Sequence, residues 1–204
     1  MILGLGHDVV DVARFAAQLA QPGTRMRALF SPRELRQAAM RAQSKDDGEA
    51  VHLAARWAGK EAVLKAWCEA LASAGVAQTP PYTLDDFPWA RVEILDDSRG
   101  VPHVALAPDV EECLAGSLRG SGVDARRDDG SARQSDVATR SGGVITRHDA
   151  AAQWGNAVPS RDNVVAQREY GATAPSASPC FTWHLSLSHD GPVASAVALL
   201  GLAR

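Results

Sequence analysis

The chain opens on a short apolar run, Ile2 to Leu5, closed by Gly6 before His7 and Asp8; this predicts a buried strand that ends where the Asp8 carboxylate sits. From Asp11 the period becomes helical, with Val12, Phe15, Ala16 and Leu19 on one face, and Pro22-Gly23 stops it. Ser31-Pro32-Arg33-Glu34 has the form of a capping box with proline at the first helical position, which predicts a second helix to about Ala42. The polar stretch Gln43 to Gly48 reads as a loop. Glu49 to about Ala74 is rich in alanine and leucine and broken only by Gly59, so the longest helix is expected there, ending near Gly75.

Farther on, Val92 and Ile94 alternate with polar neighbours, Asp96-Asp97-Ser98-Arg99-Gly100 supplies a turn, and Val101 to Leu106 resume an extended pattern, giving a hairpin. Pro108-Asp109 opens another helix with Val110 and Leu114 inward, fading near Gly116 to Gly120. Between about Leu118 and Pro179, Gly, Ser, Asp, Arg and Ala dominate and neither period persists, the composition of a flexible insertion. Trp183, Leu185 and Leu187 then alternate with His184, Ser186 and Ser188, and Val193 to Leu200 alternate across Asp190-Gly191, forming a closing hairpin. Two ordered parts, 1–118 and 181–204, therefore flank a low-complexity segment at 119–180.

Composition narrows the classes. The chain has 204 residues, 46% of them hydrophobic, and a formal charge of -3. These values describe a soluble globular protein without the basic excess that nucleic-acid binding requires. Cys68, Cys113 and Cys180 are scattered and odd in number, which excludes a disulfide framework or a paired zinc site and suits a reducing compartment. The N-terminal apolar run is short and lacks a basic flank, so neither a signal peptide nor a membrane span is expected and the location is read as cytoplasmic.

Candidate chemistry concentrates in Arg56-Trp57-Ala58-Gly59-Lys60-Glu61-Ala62-Val63-Leu64-Lys65-Ala66-Trp67. Glu61 and Lys65 are helical neighbours, and alone they amount to a solvated pair contributing about 0.3–0.5 kcal/mol. The chain contains only three lysines, Lys45, Lys60 and Lys65, against arginine everywhere else, and two fall in this segment. An ammonium is a compact point charge suited to phosphate oxygens. Asp8 alone is a turn former or cap; paired with Glu61 it would make a two-carboxylate site of the kind magnesium completes with waters and substrate phosphates. His189 lies at a hairpin tip, either solvated or turned to a ligand, and with His184 it lacks a third ligand for zinc. Arg14 on the first helix reads equally as a plain exposed cation.

Four blocks in order resemble the holo-acyl-carrier-protein synthase family of phosphopantetheinyl transferases. Gly6-His7-Asp8 with Val12-Ala13-Arg14-Phe15 is similar to its opening Gly-x-Asp block. Trp57 to Lys65 is similar to its aromatic-x-x-Lys-Glu-Ala-x-x-Lys signature. Gly100 and Pro102 match a Gly-x-Pro strand turn, and Ser186 to His189 a terminal Ser-x-Ser-His hairpin. The segment from about Arg119 to Cys180 has no counterpart in the compact family pattern.

The resemblance implies an α+β fold, the small phosphopantetheinyl transferase fold, with an antiparallel sheet, a long helix and flanking helices. It also implies a homotrimer with shared active sites. By the same likeness Asp8 and Glu61 would hold Mg²⁺ on the coenzyme A pyrophosphate, and Lys60 and Lys65 would neutralise phosphate charge. Deprotonation of the carrier serine falls to Glu61 or to a water it orients. Gly100, Pro102 and His189 would line the nucleotide or pantetheine, and Arg14 would face the acidic helix of an apo acyl carrier protein. Two other readings use the same residues: a coenzyme A or carrier-binding module without catalysis, and a magnesium enzyme that cleaves pyrophosphates with water.

Overall fold

The computed structural model describes residues 1–74, 82–83, 85–119 and 181–203. The expected insertion lies outside these residues apart from its first position, and so does the glycine expected to end the long helix. The first strand, β1 (Ile2–Asp11), leads into α1 (Val12–Leu19), whose N-cap Asp11 accepts the Arg14 N–H. A 3-10 turn at Met26–Leu29 precedes α2 (Pro32–Lys45). There the capping box forms in both directions: Ser31 accepts the Glu34 N–H and Glu34 accepts the Ser31 N–H. Asp46, in the left-handed region at φ 54, stops α2 three residues later than the polar stretch suggested.

The long helix α3 (Glu49–Ser73) is followed by β2 (Val92–Asp96), β3 (Pro102–Leu106) and α4 (Pro108–Arg119), then β4 (Phe181–Asp190) and β5 (Val193–Leu202). The strands form two antiparallel sheets, one ordered β1-β5-β4 and the other the β2-β3 hairpin. The α+β class with antiparallel sheets and a dominant helix is as expected.

The register places Asp8 opposite Ala196, and Ala196 opposite Leu187. Alternation then sends Gly4, Gly6 and Asp8 of β1, and Ala194, Ala196, Ala198 and Leu200 of β5, to one face. That face packs on α3, which is buried nearly all round.

Gly6 does not end β1. A Cβ on Gly6 would sit 1.9 Å from the Ala62 carbonyl oxygen, and one on Gly4 would sit 2.1 Å from that of Ala66. Glycine is present because the helix backbone lies directly on the strand, so the glycine-as-breaker reading gives way to close approach. Asp8 consequently lies inside a ten-residue strand, not at its end.

Candidate active site

The close approach of β1 and α3 brings Asp8 against Glu61, one residue before the Ala62 carbonyl on which Gly6 rests. Asp8 is 8% exposed. Its Oδ1 accepts Lys65 Nζ at 2.7 Å, and the same ammonium donates to the His7 carbonyl at 3.1 Å. Asp8 Oδ2 is buried and receives no hydrogen bond. Burial, then the Asp8 charge, then a hydrogen bond with Asp8 push the Glu61 carboxyl up to about 8, while Lys65 opposes the rise. Two carboxylates held together share one nearby ammonium, so the site is short of positive charge whenever both are ionised.

That shortage is the test of whether a metal fits. Both side chains are carboxylates, the hard oxygen donors magnesium takes, with no thiolate or imidazole between them. Among the described residues no group of three or more His, Cys, Asp or Glu side chains makes a complete cage. The pair can therefore hold a cation only with waters and substrate oxygens filling the remaining positions, which is how magnesium is commonly bound in phosphate chemistry. The residues fit the ion.

The lysines separate. Lys65, with 54% of its side chain exposed, is at the site and free to reach a ligand's oxygens. Lys60 is not: its side chain is fully buried, and its ammonium donates to Glu34 Oε2 at 2.9 Å, to the Trp89 carbonyl at 2.7 Å and to the Val92 carbonyl. All three donors of the ammonium are consumed. Burial pushes its pKa down and the Glu34 charge resists. The expectation that Lys60 neutralises a substrate phosphate is therefore corrected; it is an internal tie between α3, the α2 capping box and β2. The readable signal is the apolar company of residue 60 at helical spacing, with Trp57, Val63, Leu64 and Trp67 around it.

Gly100 sits in the β2-β3 turn at φ 82, where a Cβ would be 2.6 Å from Arg41 Nη2, and Pro102 opens β3. Arg41 and the buried Arg56 both donate to Asp96 Oδ2, at 3.2 and 3.0 Å. The turn is thereby tied to α2 and to the N-terminal half of α3, upstream of Glu61. His189 is exposed in the last residues of β4, on the α3 side of the sheet, with its ring edge-on to that of His52, centroids 5.8 Å apart. Arg14 is exposed on α1 just beyond β1. The pair His52 and Asp47, and Glu69, which accepts the Leu5 N–H, were not singled out from the sequence. His52 was legible only as an interruption among alanines and leucines.

A family model described as the 4'-phosphopantetheinyl transferase superfamily matches residues 4–125. A protein of Bifidobacterium animalis subsp. lactis named holo-[acyl-carrier-protein] synthase is 44% identical over 201 residues, covering 98% of this chain and 99% of that protein. It therefore spans the 119–180 stretch as well. A Bifidobacterium adolescentis protein of the same name is 63% identical over 120 residues, 57% of this chain and 79% of its own length. Among solved structures, an ACPS-CoA complex from Chronobacterium ammoniagenes superposes with a TM-score of 0.57 at 26% identity, covering 98% of both chains. The Mycobacterium tuberculosis acyl carrier protein synthase structure superposes at 0.52 with 25% identity, covering both chains in full. The ordered motifs, the carboxylate pair built by β1 and α3, and these likenesses agree: the chain belongs to the holo-acyl-carrier-protein synthase family of the 4'-phosphopantetheinyl transferase superfamily.

Proposed function

We propose that this chain transfers the 4'-phosphopantetheine arm of coenzyme A to a serine of an apo acyl carrier protein, releasing adenosine 3',5'-bisphosphate, with Asp8 and Glu61 as the protein ligands of one Mg²⁺. The observation that supports this reading is the juxtaposition of the Asp8 and Glu61 carboxylates where β1 rests on α3, beside the Lys65 ammonium. Magnesium bound there supplies charge neutralisation to the pyrophosphate and to the charge that develops as its bond breaks.

The chain's own groups do the rest. Lys65 turns from Asp8 and the His7 carbonyl onto a phosphate oxygen, a motion its exposure allows. The serine oxygen forms a bond to the phosphorus next to pantetheine, and the bond to the bridging pyrophosphate oxygen breaks. The serine proton passes to Glu61 or to a water Glu61 orients, and the leaving electron pair departs on the adenosine bisphosphate. Gly100 and Pro102, at the turn pinned to Arg41 and Arg56, and His189, at the end of β4, bind the nucleotide and pantetheine. Arg14 meets the acidic recognition helix of the carrier.

The same reading includes a homotrimer with shared active sites. The sheet face turned away from α3 carries Leu5 and Val9, 50% and 55% exposed, the kind of apolar surface that a second copy covers. Among the described residues no helix is long and apolar enough to cross a membrane.

The test is to incubate the protein with coenzyme A, Mg²⁺ and an apo acyl carrier protein and to weigh the carrier by mass spectrometry. A gain of one phosphopantetheine supports transfer. Cleavage of coenzyme A with an unchanged carrier mass would instead support a hydrolase using water as nucleophile.

A further inference from the structure

We propose that His52 is a positioning residue for His189: tethered by Asp47, it holds the His189 imidazole at the end of β4 in the orientation in which it meets coenzyme A. This rests on the reading of His189 as a substrate-binding residue.

His52 lies in the first turns of α3 and is 5% exposed. A buried imidazole needs a polar partner, and its Nε2 lies 2.7 Å from Asp47 Oδ1. Asp47 is itself fixed by the way α2 ends. Asp46 takes the left-handed conformation and the Asp47 N–H donates to the Ala42 carbonyl at 3.1 Å, which aims the Asp47 carboxylate at the start of α3. The ring plane of His52 is therefore set by a carboxylate that α2 holds in place.

His189 lacks such support in its own element. It pairs with Ala194 beside the turn at Gly191, near the end of an edge strand, and it is exposed. Its ring meets the His52 ring at 5.8 Å and 88°, an edge-to-face arrangement that favours one orientation of the pair. The His52 carbonyl accepts Arg56 Nη1 at 3.2 Å, and Arg56 is bonded to Asp96 at the foot of the Gly100 turn. One residue thus connects both parts of the protein assigned to coenzyme A: its ring touches His189, and its carbonyl leads through Arg56 to the Gly100–Pro102 turn. A group whose geometry must hold to a fraction of an ångström is commonly locked by a second residue in this way.

The test uses the full chain and steady-state transfer with coenzyme A varied, in His52→Ala, His52→Phe, His189→Ala and the double variant His52→Ala/His189→Ala. The ring resonances of His189 are followed by long-range proton–nitrogen NMR. His52→Ala is expected to raise KM for coenzyme A about fivefold, to leave kcat at saturation within about twofold and to shift the His189 ring signals. His52→Phe refills the buried volume and keeps a ring but loses the tether, so it should fold well and fall between wild type and His52→Ala. The double variant should be no worse in KM than His189→Ala. An unchanged KM in both His52 variants, or penalties that multiply in the double variant, would overturn the positioning role. If His189→Ala itself binds coenzyme A normally, the reading of His189 fails, and the proposal fails with it.

Discussion

Asp8 and Glu61 meet because Gly6 and Ala62 let a strand and a helix touch backbone to backbone, each of these two small residues lying within two positions of one of the carboxylates. The carboxylate pair is therefore a consequence of packing: α3 cannot sit this close to β1 over any side chain larger than hydrogen at Gly6.

Substituting Gly6 by Ala should therefore damage the site more than the fold. The added Cβ would fall 1.9 Å from the Ala62 carbonyl, which has no flexible side chain to yield, so β1 and α3 must separate. We expect a loss of about 1–3 kcal/mol in stability from such overpacking. A displacement near 1 Å between the carboxylates should cost about 10²-fold in transfer rate. Gly116→Ala, where a Cβ meets nothing within 4 Å, serves as the control and should be tolerated. Thermal melts and initial rates check both, and a fully active Gly6→Ala protein would show that the contact does not set the site.

Protonation of Glu61 gives the metal-free protein a characteristic pH response. With its carboxyl raised to about 8 by burial and by Asp8, the folded chain keeps a proton that the unfolded chain has already released. The folded state therefore binds more protons between the usual carboxylate range and about pH 8, and stability contributed by this group falls as pH rises through that window. In the presence of a chelator the melting temperature should drop from pH 6 to pH 8.5, and magnesium should restore part of the loss. Glu61→Gln should flatten the slope relative to wild type; parallel slopes would show that Glu61 is not the group responsible.

Lys60 should behave as a core residue. Replacing it with Met leaves Glu34 buried without its counter-charge, although the Ser31 and Ile94 N–H groups still reach that carboxylate. Breaking a buried pair from one side costs about 3–5 kcal/mol. The double change Lys60→Met/Glu34→Gln removes both charges and should recover part of that. Chemical denaturation measures each step, and the folded fraction of Lys60→Met should keep its KM for coenzyme A. A selective rise in KM with unchanged stability would return Lys60 to the phosphate.

The element pattern was legible because it depended on local chemistry. The Ser31–Glu34 capping box, the Asp96–Gly100 turn and the period-two closing strands each carry their own signal, and each formed where expected. Residues whose meaning depends on a distant contact were harder. Gly6 reads as a breaker until α3 is laid on it. Lys60 and Lys65 are identical in sequence terms, five positions apart, and only the direction each takes from α3 separates an interior tie from a surface cation. Asp8 and Glu61 are 53 positions apart, so no spacing rule could pair them; the family likeness did.

The 119–180 stretch offers a further prediction. Leu114 of α4 and Phe181, the first residue of β4, line one cavity, so the two elements that flank the stretch lie on the same side of the fold. We expect that replacing residues 121–178 with a short Gly-Ser linker leaves melting temperature and transfer near those of the full chain. An insoluble or inactive deletion would show that the segment completes the fold.

The role proposed for Asp8 and Glu61 is to hold the catalytic magnesium together. Its most direct test is the transfer rate to apo acyl carrier protein by Glu61→Gln, measured alongside its melting curve, since the change removes a ligand charge and almost no volume. The expected result is a folded protein, at least as stable as wild type without metal, whose transfer falls by about 10³-fold or more. Near-normal turnover by that folded variant would contradict it.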